Sequence, residues 1–280
     1  YVKVVLNGEG SDELFGGYRR TLAIQMLNQL SFLTKRLPKN SYNFLLKNMP
    51  IPKRFRSTYS WLYRFLRGMC EDKYVRYINW SMDGFDEYEK KQMMLNKHYN
   101  QSIPTDQIIR KRMMSYDHLS DTSNFMAIDF LIGMADCLLP KVDIATMSHG
   151  LESRSPFLDY RLVEWVSQID KKSLLSLMKT KPILRSLSND YLPQAIVNAP
   201  KRGFEIPLVK WMKYDLNNML RDVCMSQNSI LFNFFEKRAI LNLLDHRLPL
   251  DDERWAKRVW PLFMFALWGQ TIDENRLRIT

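Results

Sequence analysis

The sequence predicts a mainly α chain carrying one strand of a parallel sheet, the C-terminal part of an α/β domain. Three observations predict it. Val2, Val4, Val5 and Leu6 form a short, largely β-branched run of the kind buried in parallel sheets. A glycine-containing turn, NGEGSDELFGGY over residues 7–18, follows at once. Beyond it, nearly every segment has apolar residues at helical spacing. One strand makes no sheet, so the start of the chain is expected to lie inside a larger domain.

The helices follow in order. In residues 121–139, Phe125, Met126, Ile128, Phe130, Leu131, Met134, Leu138 and Leu139 recur at helical spacing, and Asp121, Thr122 and Ser123 offer N-caps. Asp159 is expected to cap a helix running through Trp165 and Val166. Residues 181–192 read as a short amphipathic helix stopped by Pro193. Residues 208–223 form a helix entered from Pro207, and residues 255–268 one with a broad apolar face. Punctuation falls at LPKN, MPIPK, SPFLD and APKRGFEIP. No second convincing strand stands out, although residues 151–157 are compatible with extended chain.

Composition narrows the function classes. No apolar run reaches the length of a membrane span, and no basic-then-apolar leader opens the chain. Cys70, Cys137 and Cys224 are far apart without a CxxC pair, which points to a reducing compartment, the cytoplasm, and to small core residues. The four histidines lack metal-ligand spacing. Residues 14–70 hold eleven Lys and Arg and no Asp or Glu, so they account for the whole net charge of +11. Aromatic residues interleave them, from Tyr42 to Phe65. This stretch reads first as a solvated basic helical face over an aromatic core face. Attraction of an anionic substrate or membrane surface comes second, and nucleic acid last.

The turn itself poses a chemical question. Gly8 and Gly10 permit tight turning and close ligand approach. Yet the same turn carries Glu9, Asp12 and Glu13, which repel an anion. Asp12 and Glu13 are accounted for as first-turn residues of a helix capped by Ser11. Glu9 is not, and it stands at the carboxyl end of a strand, where open α/β sheets bind ligands. An acidic turn holds a polyphosphate if Mg²⁺ lies between them, because Mg²⁺ takes one or two carboxylates and completes its shell with water and phosphate oxygens. A carboxylate there also accepts a proton from an incoming amine. The phosphate-facing cations must then come from later in the chain. APKRGFEIP supplies Lys201, Arg202 and Gly203, for which a solvated surface turn is the plain alternative. PKVDIATMSHGLESRSPFLD supplies Lys141 and Asp143, and its Glu152 and Arg154 share a face if extended, with a structural ion pair as the plain alternative.

Four segments in order, NGEGSDELFGGY, KVDIATMSHGLESRSPFLDYRLVE, KPILRSL…YLP and PKRGFEIPLVKWM, resemble the motifs of the asparagine synthase (glutamine-hydrolysing) family over roughly residues 4–268. The resemblance implies an adenine-nucleotide α-hydrolase-like ATP pyrophosphatase domain. It implies adenylation of a carboxylate with Mg·ATP, pyrophosphate release, and displacement of AMP by ammonia drawn from glutamine. Aspartate is the acceptor it implies first. By the same resemblance, Asn7 and Gly8, with Gly10 and Ser11, match the nucleotide-contacting part of the turn. Glu9 matches a catalytic carboxylate, Asp12 a Mg²⁺–pyrophosphate ligand, and Lys201 a lysine that neutralises pyrophosphate. Asn7 stands where most members have Ser. Asp136 stands where two adjacent acids are frequent, with Cys137 second, and Ile144 replaces a frequent Arg. These departures admit an acceptor other than aspartate: a sugar acid, a peptide or a β-amino acid. The family's SGGxDS loop and its N-terminal glutaminase domain are expected upstream of Tyr1, so the isolated chain is expected to be catalytically incomplete. A homodimer is compatible with the resemblance.

Overall fold

The computed structural model describes residues 2–30, 48–50, 52, 57–69, 71–81, 84–176, 179–199 and 206–279. The chain divides into two compact units. The first comprises Tyr1–Leu45, Arg67–Ile78 and Asp106–Lys201; the second comprises Leu46–Leu66, Asn79–Thr105 and Arg202–Thr280.

The first unit holds strand β1 (Val4–Leu6), which pairs in parallel with a second strand, β2 (Glu152–Arg154). Val4 lies opposite Glu152, Val5 opposite Ser153 and Leu6 opposite Arg154. The second strand corrects the expectation of one convincing strand, and it falls within residues 151–157, the stretch compatible with extended chain. Glu-Ser-Arg has no strand-forming composition; β1 imposes the extended state through the ladder, and Glu152 N–H→Lys3 O (2.9 Å) and Asn7 N–H→Arg154 O (2.8 Å) lengthen it at both ends. Gly150 at φ 65° supplies the left-handed turn that delivers the chain into β2.

Strand β1 is not buried as expected, Val4 being 40% and Leu6 73% exposed. The helices of this unit include α1 (Ser11–Phe15), α2 (Arg19–Gln29), α3 (Asp121–Ile128), α4 (Leu139–Met147), α5 (Tyr160–Gln168) and α6 (Pro182–Ser188). Leu14 and Phe15 of α1 pack with Met126, Val166, Leu174 and Leu175 as one buried cluster. Residues 121–139 are helical as expected, but α3 gives way at Asp129 to a π-helical segment, Asp129–Leu138. Two causes act together. Asp129 is buried and held by Arg20 and Tyr77. Pro140, near the start of α4, has no N–H to donate and crowds the carbonyl four residues back, which the wider turns upstream accommodate. The cap of α3 is Ser120, whose Oγ accepts from Ser123 N–H at 3.3 Å, rather than residues 121–123. Asp159 caps α5 as expected, accepting from Arg161 N–H at 3.0 Å. Helix α6 is shorter than expected and ends before Asn189.

The second unit is built on α7 (Asn217–Met225), α8 (Lys237–Leu244) and α9 (Asp252–Ile279). Trp255, Val259, Leu262 and Phe263 of α9 bury themselves against Leu220, Cys224, Ile240 and Leu243. The helix expected over residues 208–223 is broken here by a π-helical turn, Trp211–Asp215, before α7 begins. Burial pushes the Cys224 thiol up to about 12, so it packs as an inert core residue. Cys137, by contrast, is exposed, against expectation, and Cys70 lies outside the described residues. No helix among the described residues is long and apolar enough to cross a membrane. Seven of the eleven Lys and Arg of the basic stretch lie outside the described residues. Of its described members, Arg20 is no solvated charge, since its side chain is largely buried in an ion pair with Asp129.

Candidate functional site: an acidic turn with two lysines

At the end of β1 the chain reverses over residues 7–11. Asn7 shapes this reversal. Its Oδ1 accepts from the Glu9 N–H at 2.9 Å and from Ser155 Oγ at 2.5 Å, and its Nδ2 donates to Ser153 Oγ at 2.7 Å. The first contact is an Asx turn; the other two clamp it to the β2 segment. The Asn7 side chain therefore holds the loop, with both lone pairs of its carbonyl oxygen engaged. Gly10 stands at φ 94°, and a Cβ there would meet Leu158 Cδ2 at 2.5 Å, so both conformation and contact call for glycine. Gly10 also occupies the N-cap of α1, which has no side-chain cap. Ser11, expected to cap, is the first helical residue instead.

This geometry turns Glu13 inward to burial and leaves Glu9 and Asp12 about one-quarter exposed. Each of the latter meets a lysine from a distant segment. Lys141 Nζ of α4 lies 3.5 Å from Glu9 Oε1. Lys181 Nζ lies 2.9 Å from Asp12 Oδ1 and donates to Ser11 Oγ at 2.8 Å. Lys181 itself sits at φ 53°, ψ 52°, the left-handed region that a non-glycine residue enters at a cost, immediately before Pro182 opens α6. The strained backbone delivers its ammonium to the turn. Sequence reasoning missed Lys181 as a site residue. Its signal was its place at the head of the KPILRSL segment, a lysine preceding the proline of a helix start.

Other expected site residues are placed elsewhere. Arg154 Nε donates to Glu152 Oε1 at 2.7 Å on the exposed side of β2, which is the structural ion pair considered above. Asp136 pairs with Arg112 through both guanidinium ends, and that hydrogen bonding holds its carboxyl below the usual range. Asp143 is exposed on α4, one turn from Met147, and Ile144 beside it is 71% exposed. Among the described residues nothing lies within 4 Å of a Cβ built on Gly8, so as far as they reach the turn is open there. Lys201 and Arg202 lie outside the described residues.

Could these residues hold Mg²⁺? Among the described residues no group of three or more His, Cys, Asp or Glu side chains gathers as a metal cage. Mg²⁺ needs none, since it binds through one or two carboxylates with water and phosphate. The donors at the turn are hard oxygens, and Asp12 with Ser11 already seats a cation, the Lys181 ammonium. The site fits an oxygen-ligated divalent ion shared with a phosphate.

The family model described as asparagine synthase matches residues 1–270. The chain is 29% identical to the Bacillus subtilis protein named asparagine synthetase [glutamine-hydrolyzing] 1, over 99% of this chain and 42% of that protein. It is 27% identical to a Mycobacterium bovis protein whose name also designates a glutamine-hydrolysing asparagine synthetase, over 98% of this chain and 40% of that one. A Gibberella zeae protein named amidase chry2 is 21% identical over 98% of this chain and 42% of its own length. The chain thus spans less than half the length of these curated relatives. No solved structure matches it. With the family model covering nearly the whole chain, from the acidic turn through both lysines that meet it, the protein belongs to the asparagine synthase family.

Proposed function

We propose that this chain forms the C-terminal part of an ATP-dependent amide ligase, within an adenine-nucleotide α-hydrolase-like domain. The ligase converts a carboxylate, aspartate in the simplest case, to its amide through an acyl-adenylate. One observation carries the reading. The turn at the end of a parallel strand exposes two carboxylates, Glu9 and Asp12, each met by a lysine from a distant segment. Such a turn handles a polyanion and a proton together.

In the proposed reaction, the acceptor carboxylate attacks the α-phosphorus of ATP and pyrophosphate leaves. Ammonia then attacks the acyl carbon and AMP leaves. Mg²⁺, when bound, neutralises phosphate oxygens, and Asp12 is the residue to hold it. Lys181, now on Asp12 and Ser11, offers its ammonium to the same charge. Glu9 takes the proton lost by the attacking ammonia, and Lys141 orients that carboxylate and balances its charge. Lys201, with Arg202, is proposed as a further cation at the leaving pyrophosphate. Ammonia from glutamine, a glutaminase domain and a phosphate-binding loop belong to the proposal for the whole protein, as the names of the longer relatives suggest.

A second reading keeps the chemistry and changes the acceptor. Ile144 presents an exposed apolar side chain on the helix that bears Lys141. An acceptor other than aspartate would suit it, and product analysis with sugar acids, peptides and β-amino acids separates the two readings.

The test is Glu9→Gln in the full-length protein, with pyrophosphate release measured with and without ammonium. The expected result is pyrophosphate release that persists while amide formation slows by about 10²–10⁴. Unchanged rates of both steps in a folded variant would refute the role of the turn.

A further inference from the structure

Behind the acidic turn lies a buried polar chain that the proposed reaction does not use. Glu13 is 3% exposed, and its carboxylate accepts from the Tyr18 hydroxyl. The Arg20 guanidinium lies 3.8 Å from the Tyr18 ring centroid and 5.6 Å from that of Tyr77. Arg20 then binds Asp129 Oδ1 through Nε at 2.8 Å and Nη2 at 2.7 Å. Tyr77 donates to the same oxygen at 2.5 Å. Asp129 is 2% exposed, and its Oδ2 has no hydrogen-bond partner among the described residues.

Such a chain makes little sense as a source of stability. Burial raises the Glu13 carboxyl, with the Tyr18 hydrogen bond only partly offsetting it. Burial raises Asp129 too, against the lowering effect of Arg20. Burying two carboxylic groups and a guanidinium is commonly no better than apolar packing of the same volume. What buried polar groups can supply is a single orientation. Helix α1 needs that: it has five residues and no side-chain cap, and a helix this short does not hold its own geometry.

We propose that Glu13, Tyr18, Arg20 and Asp129 form a positioning brace that fixes the rotation of α1 and so aims Asp12 at its cation. Asp12 and Glu13 are consecutive, so on a helix they point about 100° apart. Holding Glu13 inward on Tyr18 turns Asp12 outward to the position where Lys181 now meets it. Arg20 carries the constraint from the Tyr18 ring to the first residue of the π-helical segment, 109 positions away. The four are positioning residues and touch no reactant. The inference rests on the reading of Asp12 as the cation-holding residue.

The test compares Tyr18→Phe, Glu13→Gln and Asp129→Asn with the unsubstituted full-length protein. Mn²⁺ affinity is followed by electron paramagnetic resonance in the presence of pyrophosphate, and thermal unfolding is measured alongside. Losing one oriented hydrogen bond in Tyr18→Phe is expected to weaken Mn²⁺ binding about tenfold. Glu13→Gln, whose amide oxygen still accepts from Tyr18, should fall between. The Mg²⁺ concentration giving half-maximal pyrophosphate release should rise by the same factor, with most of kcat recovered at saturating Mg²⁺. If Tyr18→Phe lowers the melting temperature and leaves Mn²⁺ affinity unchanged, the chain is merely structural and the brace is refuted. Should Tyr18→Phe fail to fold, Asp129→Asn and Glu13→Gln decide by the same criterion. Failure of the unsubstituted protein to bind Mn²⁺ with pyrophosphate also overturns it. Tight Mn²⁺ binding that weakens in the variants, with no amidation of any acceptor, would sink the proposed function and leave the brace standing.

Discussion

Gly17→Ala perturbs the acidic turn without altering a single charge. Gly17 lies between α1 and α2, and its N–H donates to the Asp12 carbonyl at 2.8 Å. It is not among the positive-φ residues, so alanine meets no backbone penalty there. The methyl group, however, would fall 1.7 Å from Asp12 Oδ1, 2.6 Å from Asp12 Cγ and 2.5 Å from Lys181 Cε. Relieving that overlap takes a displacement on the order of 1 Å, and misplacing a reacting group by that much costs about 10²-fold in rate. The Asp12–Lys181 pair is only partly buried, so its loss should change stability by about 1 kcal/mol or less. The expected outcome is therefore a split: kcat/KM for Mg·ATP down about 10²-fold, with the melting temperature within roughly 4 °C. A coupled pyrophosphate assay and thermal unfolding on the same full-length preparation read both. Activity within threefold of the unsubstituted protein would show that the aim of Asp12 does not matter to the chemistry, and the assignment of the site would fall with it.

Three further outcomes follow from the geometry. Gly8→Ala adds a methyl group where the described residues leave open space, so stability should hold; if a ligand approaches the turn there, KM for ATP should rise about tenfold, the cost of about 1.4 kcal/mol of lost contact. Arg258→Met strands Glu89, whose carboxylate takes both Arg258 Nε (2.9 Å) and Nη2 (3.1 Å) and also closes the capping box of the helix Glu87–Met93; chemical denaturation should show a loss of about 2–4 kcal/mol. Burial lowers His246, helped by Lys213 and Arg221 and opposed by Asp252 and Asp245, and the neutral ring stacks 3.9 Å from Trp255. Its folded value lies below the unfolded one, so the stability it contributes is full above about pH 6.5 and is lost as pH falls through the folded value. Thermal unfolding between pH 7 and pH 5 should therefore flatten in His246→Asn, and an unchanged slope would remove His246 as the cause.

The elements that local pattern determines were readable from the sequence; those that distant partners determine were not. The α5 cap at Asp159 and the apolar face of α9 rest on neighbours a few residues away, and both are found as expected. The π-helical segment is different. Its apolar residues fit a 3.6-residue period about as well as a wider one, and Asp129, at its start, is held by Arg20 and Tyr77, which are 109 and 52 positions distant. Strand β2 has the same character. Residues 151–157 were compatible with extended chain, but Glu-Ser-Arg lacks a strand-forming composition, and pairing with β1 makes it a strand.

The site divides along the same line. Glu9 stood out because a carboxylate between glycines at the end of a strand has a chemical meaning independent of any partner, whereas Asp12 reads locally as a first-turn helix residue and was marked by the family resemblance. Asn7 was marked only by the family resemblance, as part of a nucleotide contact; that its side chain clamps the turn depends on Ser153 and Ser155, nearly 150 positions away. Lys181 was hidden because a left-handed lysine cannot be read from composition. Its discovery changes the electrostatic argument. An acidic turn seemed to require a bound metal before any phosphate approached. With Lys141 on Glu9 and Lys181 on Asp12, each of the two partly exposed carboxylates of the turn is matched by one ammonium, while Glu13 lies buried on Tyr18. Part of the charge that would repel a nucleotide is thus offset by these two lysines. It follows that Lys181→Met should make entry of ATP more dependent on Mg²⁺ than it is in the unsubstituted protein, with the half-saturating Mg²⁺ concentration for ATP binding rising. A half-saturating concentration that falls instead would mean Lys181 competes with the metal for Asp12 more than it shields the turn.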